Sequence, residues 1–146
     1  MELIVLNYYS ALGERKIEKI IEIFPEELDW YVPGDEIIAP CLGNRSTCDQ
    51  VREFFELLWQ NTEAVSAMID HIAVVGNVVI SSGNFVTRMV KTERIYKRLF
   101  FTEITIFEGL IVKYRLLEDT LGLIRVLDNR LEKTQSLDLC PSKTDC

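Results

Sequence analysis

The residues best placed to do chemistry begin with one carboxylate, Glu103, set in the run Phe-Phe-Thr-Glu-Ile-Thr-Ile-Phe at positions 100–107. A carboxyl held in an apolar cavity loses hydration, which favours its neutral form and raises its pKa. Such a group suits proton transfer near neutrality. Glu108-Gly109 reads as a two-residue hairpin turn, which pairs Phe107 with Leu110. Uninterrupted counting from there sets Glu103 opposite Tyr114 and Phe101 opposite Leu116. Tyr114 could then hold or tune the carboxyl. So could Asn84, if the preceding hairpin centres on Thr92–Ile95. The competing reading is a buried polar cluster in which these groups only satisfy one another.

Other chemistries find little support. The single histidine, His71, heads a strand-like run without an acid or thiol at recognisable spacing, which suits a surface or capping role. The four cysteines, Cys41, Cys48, Cys140 and Cys146, match no common zinc framework, so neither a metal nor another cofactor is expected. No phosphate-binding glycine loop or nucleophile elbow is present. A net charge of −7 argues against nucleic acid and against an anionic membrane surface. No apolar run approaches the ~18 residues of a membrane span. The opening MELIVLNYYSAL lacks a basic n-region, so the expected compartment is the cytoplasm, with reduced thiols.

The elements that must carry these residues follow from periodicity. At 146 residues one domain is expected, over 1–128, with a polar tail over 129–146. A first helix reads from Glu2 to Leu12, stopped by Gly13. A second reads from Arg15 to Phe24, with Ile17, Ile20, Ile21 and Phe24 at helical steps before Pro25. Leu28–Val32 reads as a short strand entering the Pro33-Gly34 turn. Ser46 with Asp49 suggests a capping box for a third helix, whose stripe is Val51, Phe54, Phe55 and Leu58. From about residue 70 the period shortens to that of strands. The order is α+β: helices first, then an antiparallel meander.

Alternation gives the last hairpin two faces. One carries Phe101, Glu103, Thr105, Phe107, Leu110, Val112, Tyr114 and Leu116, and is expected to line a pocket under the helices. The other carries Phe100, Thr102, Ile104, Ile106, Ile111, Lys113, Arg115 and Leu117. Both faces are largely apolar, so the second is expected to be covered by a two-fold partner, making a homodimer through the outer face of the sheet.

In order, YYSALGERKIEKIIEIF, LDWYVPGD, LGNRSTCDQVREFF and FFTEITIFEGLIVKYRLLEDTLGLIRVL resemble the SnoaL-like branch of the nuclear transport factor two-like superfamily. That resemblance implies a cone-shaped, cystatin-like roll: three N-terminal helices packed on a curved antiparallel sheet around a pocket. Its members include isomerases, polyketide cyclases, epoxide hydrolases and proteins that only bind a ligand, so the fold does not choose the function. By resemblance to the steroid isomerases, Tyr8 or Tyr9 would supply a phenol and Glu103 the second acid, while Val32 stands where the base belongs. By resemblance to the cyclases and epoxide hydrolases, an acid on the last strand falls at Leu116, which cannot ionise, and Arg115 turns to the other face.

The expected ligand is small and apolar or polycyclic, with one or two oxygens. Its expected lining draws on Tyr8 or Tyr9, Trp30, Val32, Phe55, Asn84, Val86, Phe101, Glu103, Tyr114 and Leu116. Two readings stay open: an acid/base enzyme of isomerase or cyclase type working through Glu103, Tyr114 and Tyr8, or a non-catalytic binder or dimeric interaction module with a structural Glu103.

Overall fold

The structure is a computed structural model in which residues 1–127 are described. The expected tail over 129–146, with Cys140 and Cys146, lies outside the described residues.

The fold is α+β, as expected, with an open six-stranded sheet in the order β2-β1-β6-β5-β4-β3. The elements run α1 (Glu2–Gly13), α2 (Ile17–Ile21), β1 (Glu27–Val32), β2 (Gly43–Thr47), α3 (Cys48–Asn61), β3 (Thr62–Val75), β4 (Val78–Met89), β5 (Ile95–Phe107), β6 (Leu110–Glu118) and α4 (Thr120–Leu127). Short β2, the first half of β3 and α4 were not foreseen. The sheet is mixed rather than wholly antiparallel, because β1 pairs with β6 in parallel.

Local chemistry explains the boundaries. The second helix is shorter than its periodicity suggests. Arg15 adopts a φ of 51°, and its guanidinium donates to the carbonyls of Thr62, at 3.0 Å, and Trp59, at 3.4 Å. That tether uses the first interhelical residues to cap the end of α3, so α2 starts only at Ile17. The capping box of α3 sits one residue later than expected: the Thr47 hydroxyl accepts from the Gln50 amide, and the Gln50 side chain accepts from the Thr47 amide.

One core lies on the inward face of the sheet. Its centre is aromatic: Trp30 stacks on Tyr114 with centroids 4.0 Å apart and planes 16° apart, and Tyr8, Phe24, Phe54 and Phe55 surround them at tilted or edge-on angles. Val5, Ile20, Val32 and Val51 close the layer between helices and sheet. An aromatic pair of this kind contributes about 0.5–1.5 kcal/mol beyond the area it buries.

The last hairpin corrects the register. The Glu108-Gly109 turn forms as expected, with φ of 49° and 81° and Phe107 opposite Leu110. Ile106 then faces Ile111, but Thr105 faces Lys113, so Val112 is an extra residue on β6. This β-bulge breaks the alternation. Beyond it Ile104 faces Tyr114, Thr102 faces Leu116, and Glu103 faces Arg115. Tyr114 and Leu116 remain inward, and Lys113, Arg115 and Leu117 outward, as expected. The β5 assignment is inverted, and Ile111 turns inward with it: Phe100, Thr102, Ile104, Ile106 and Ile111 are buried, while Phe101 and Phe107 are exposed.

Candidate functional site

The bulge decides where the sequence-derived candidates stand. Glu103 lies on the outer face, 3.6 Å from the Lys113 ammonium, with its side chain 49% exposed. It therefore does not sit beside Tyr114 in the interior, as continuous counting required. Its β4 neighbours share that face: Ile80 stands opposite Glu103, Ser82 opposite Phe101, and Asn84 opposite Leu99. Asn84 donates to the Asp70 carboxylate at 3.3 Å rather than reaching Glu103, and Val86 follows the same parity. Phe101, Asn84 and Val86 thus leave the expected lining together with Glu103. His71 is exposed beside Ser82, with Nδ1 3.3 Å from its hydroxyl.

The inward face keeps Tyr8, Tyr9, Trp30, Val32, Phe55, Tyr114 and Leu116, in different roles. Tyr8, Trp30, Val32, Phe55 and Tyr114 are packed core, each under 5% exposed. Burial raises the Tyr8 and Tyr114 phenols above the ordinary range, so both remain neutral donors. Tyr9, one position on, reaches the sheet. Its hydroxyl lies 2.5 Å from Ser81 Oγ and 2.8 Å from Thr102 Oγ1, and those two oxygens are 2.5 Å apart. Three hydroxyls in a closed triangle can each donate once and accept once. Burial pushes the Tyr9 phenol up, against the opposing pull of its two hydroxyl partners.

Farther along the same face is a charged pair that sequence reasoning passed over. Arg98 Nε lies 2.7 Å from Glu118 Oε2, and both side chains are only 5% exposed. The approach is close without hydrogen-bond alignment, and Arg98 Nη1 meets no acceptor. The guanidinium carbon sits 3.6 Å from the centroid of Phe85 and 4.3 Å from that of Tyr96. Two aromatic faces thus support the cation where water does not. Burial raises the Glu118 carboxyl, with Arg98 pulling the other way, and burial lowers the Arg98 guanidinium against the pull of Glu118. Tyr96 is pushed up to about 12, mainly by burial, and its hydroxyl donates to the Asp119 carbonyl.

Continuous counting splits this pair between the two faces of the hairpin, and only the bulge at Val112 brings it together. Arg98 shares strand parity with Phe100, Thr102 and Ile104, and Glu118 shares it with Tyr114 and Leu116. Arg88, farther along β4, bonds Glu63 at 2.8 Å and Glu93 at 3.1 Å at the surface and takes no part in this pair. Glu118 stands two residues after Leu116, on the same face of β6. Its arginine partner comes from β5, whereas Arg115 turns outward to bond Asp29.

Residues 5–114 match the SnoaL-like domain family. The chain belongs to that family. Solved structures agree with its fold. An NTF2-like protein of Burkholderia xenovorans LB400 superimposes with a TM-score of 0.77 at 20% identity, covering 86% of this chain and 94% of its own. A Rhodopseudomonas palustris protein, provisionally described as an isomerase, gives 0.74 at 17% identity over 84% and 90%. TerC, crystallised with polyporic acid, gives 0.76 at 15% identity over 85% and 95%. At these identities the likeness establishes the SnoaL-like cone and leaves the chemistry to the side chains. A search among proteins of curated function finds no match. Among the described residues no helix is long and apolar enough to cross a membrane.

Proposed function

We propose that this SnoaL-like chain binds a small, largely apolar molecule bearing oxygen on the inward face of its sheet, and that Glu118 exchanges a proton with it. The observation that carries this reading is the buried Arg98–Glu118 pair. Taking two charges out of water is costly, and structure alone seldom needs it. A buried carboxyl whose proton affinity is raised beside a specific cation is a functional-site feature. The aromatic surroundings of Phe85, Tyr96 and Phe100 suit a flat ligand. The solved TerC complex with polyporic acid supports small-molecule binding by this fold.

The test is a fragment titration followed by amide NMR, using planar aromatic fragments of one to three rings. Shifts concentrated at Arg98, Phe100, Thr102 and Glu118 support the reading. Shifts confined to Glu103, Phe101 and their outward neighbours overturn it.

A second reading concerns assembly and is compatible with the first. Met68, Ile80, Leu99, Phe101 and Leu117 are 44–64% exposed on adjoining outer rows of β3 to β6. Monomers rarely leave such a patch open. We propose that a second copy covers it, giving a homodimer in the cytoplasm. Sedimentation equilibrium should give twice the chain mass for the wild type and the single mass for Phe101→Asp. A monomeric wild type rejects the dimer.

A further inference from the structure

Besides the poorly aligned contact between Arg98 Nε and Glu118, the proposed site leaves two buried donors open, and their placement names a ligand class. Arg98 Nη1 is buried without a partner, and so is Thr87 Oγ1. Both belong to the inward face. On β4 and β5, Phe85 stands opposite Arg98 and Thr87 opposite Tyr96. Thr87 and Arg98 are therefore diagonal neighbours, with Cβ atoms at most about 7–8 Å apart, within reach of one small bridging group. Buried polar atoms normally find partners, so two unmet ones on adjoining strands call for an explanation.

The rest of the inward polar set does not compete for the same role. Tyr9, Ser81 and Thr102 close on one another. Thr102 stands four residues from Arg98, about 13 Å along the strand. Tyr8 and Trp30 also carry unpartnered polar atoms, but these lie inside the packed aromatic centre. Arg98 alone joins an open donor to a full charge, and its Nε edge is already taken by Glu118.

A guanidinium edge next to a hydroxyl matches a group with two adjacent oxygens and a negative charge. Phe85 and Tyr96, whose faces carry the Arg98 guanidinium, and Phe100 beside Phe85 make surroundings that suit a flat body attached to it. We infer that the site takes an aromatic carboxylate, one oxygen on Arg98 Nη1, the other on Thr87 Oγ1, with its ring among the aromatic side chains around Arg98. This assignment rests on the inward site proposed above.

The experiment is calorimetric titration of the full chain with naphthalene-2-carboxylate and with its neutral isostere naphthalene-2-carboxamide, in the wild type, Thr87→Val and Arg98→Lys. Thr87→Val removes a hydroxyl that bonds nothing, so it preserves the fold while testing the contact. The carboxylate should bind at least about tenfold more tightly than the amide, as expected for a charge-assisted bond. Thr87→Val should weaken the carboxylate about three- to tenfold and leave the amide unchanged. Arg98→Lys, which keeps charge but loses the fork, should reduce the preference further. Equal binding of the two probes overturns the anionic class while leaving the inward pocket standing. A preference that survives in both variants overturns the assigned contacts. Binding of neither probe overturns the pocket reading and this inference together.

Discussion

Glu103 and Tyr114 lie on opposite faces of the same hairpin, although the turn that joins their strands is the one the sequence calls for. The extra residue is Val112. It turns Tyr114 inward against Trp30 while Glu103 looks outward to Lys113. Glu103→Gln should therefore change stability by no more than about 0.5 kcal/mol, the usual range for surface substitutions. It should also leave fragment binding unchanged. Denaturant unfolding and the fragment titration check both points, and a loss of binding would return the acid/base role to Glu103.

Arg98 and Glu118 should respond in the opposite way. Removing either partner alone strands a buried charge, so Glu118→Leu or Arg98→Met should cost about 3–5 kcal/mol. The double variant Arg98→Met/Glu118→Leu should be neutral or more stable by about 1–4 kcal/mol, because it also removes the desolvation cost. Urea unfolding of the four proteins measures the cycle. Additive single effects would mean that the two groups do not form a buried pair.

The pair also sets a pH dependence. Glu118 holds its proton more tightly in the folded chain than in the unfolded one. Its contribution to stability is present below the ordinary glutamate pKa of about 4.3 and is lost as pH rises through its raised folded value. The advantage of the double variant over the wild type should therefore grow as pH rises above the ordinary glutamate range. Exposed carboxylates such as Glu14 and Glu18, held low by Lys16 and Arg52, behave alike in both proteins and cancel. A constant difference would contradict the raised proton affinity of Glu118.

Tyr9→Phe tests the hydroxyl triangle. It leaves Ser81 and Thr102 bonded to each other, so the cost should be near the net worth of one hydrogen bond, about 0.5–1.5 kcal/mol. Thermal unfolding reads it. A cost several times larger would mean that the triangle holds α1 to the sheet more strongly than one ordinary hydrogen bond.

Gly83→Ala tests the close approach of β3 and β4. An added Cβ would collide with the Met68 carbonyl and come within 2.9 Å of the Phe100 ring. Backbone does not yield as a side chain would, so a loss of about 1–3 kcal/mol is expected from overpacking. An unchanged midpoint of unfolding would show that the two strands are less tightly apposed.

Helices and strands announce themselves through periodicity, so α1, α3, β5 and the Glu108-Gly109 turn could be read directly. The face of β5 could not, because both faces carry large apolar residues and a single inserted residue reverses the count. Val112 has no chemical mark that distinguishes a bulge from ordinary strand. The short edge strand β2 lacks an alternating apolar pattern and exists through pairing with β1. Arg98 was hidden by its type: an arginine in a Lys-Arg dipeptide reads as solvated until the tertiary fold places Phe85 and Glu118 around it.

The most direct measurement is a 13C NMR titration of the glutamate side-chain carboxyls, with Glu118 assigned by the resonance missing from Glu118→Gln. The account predicts that Glu118 titrates above the ordinary glutamate range, because burial favours its neutral form, and that its resonance moves when an aromatic fragment binds. A Glu118 that titrates in the ordinary range and ignores every fragment would contradict it.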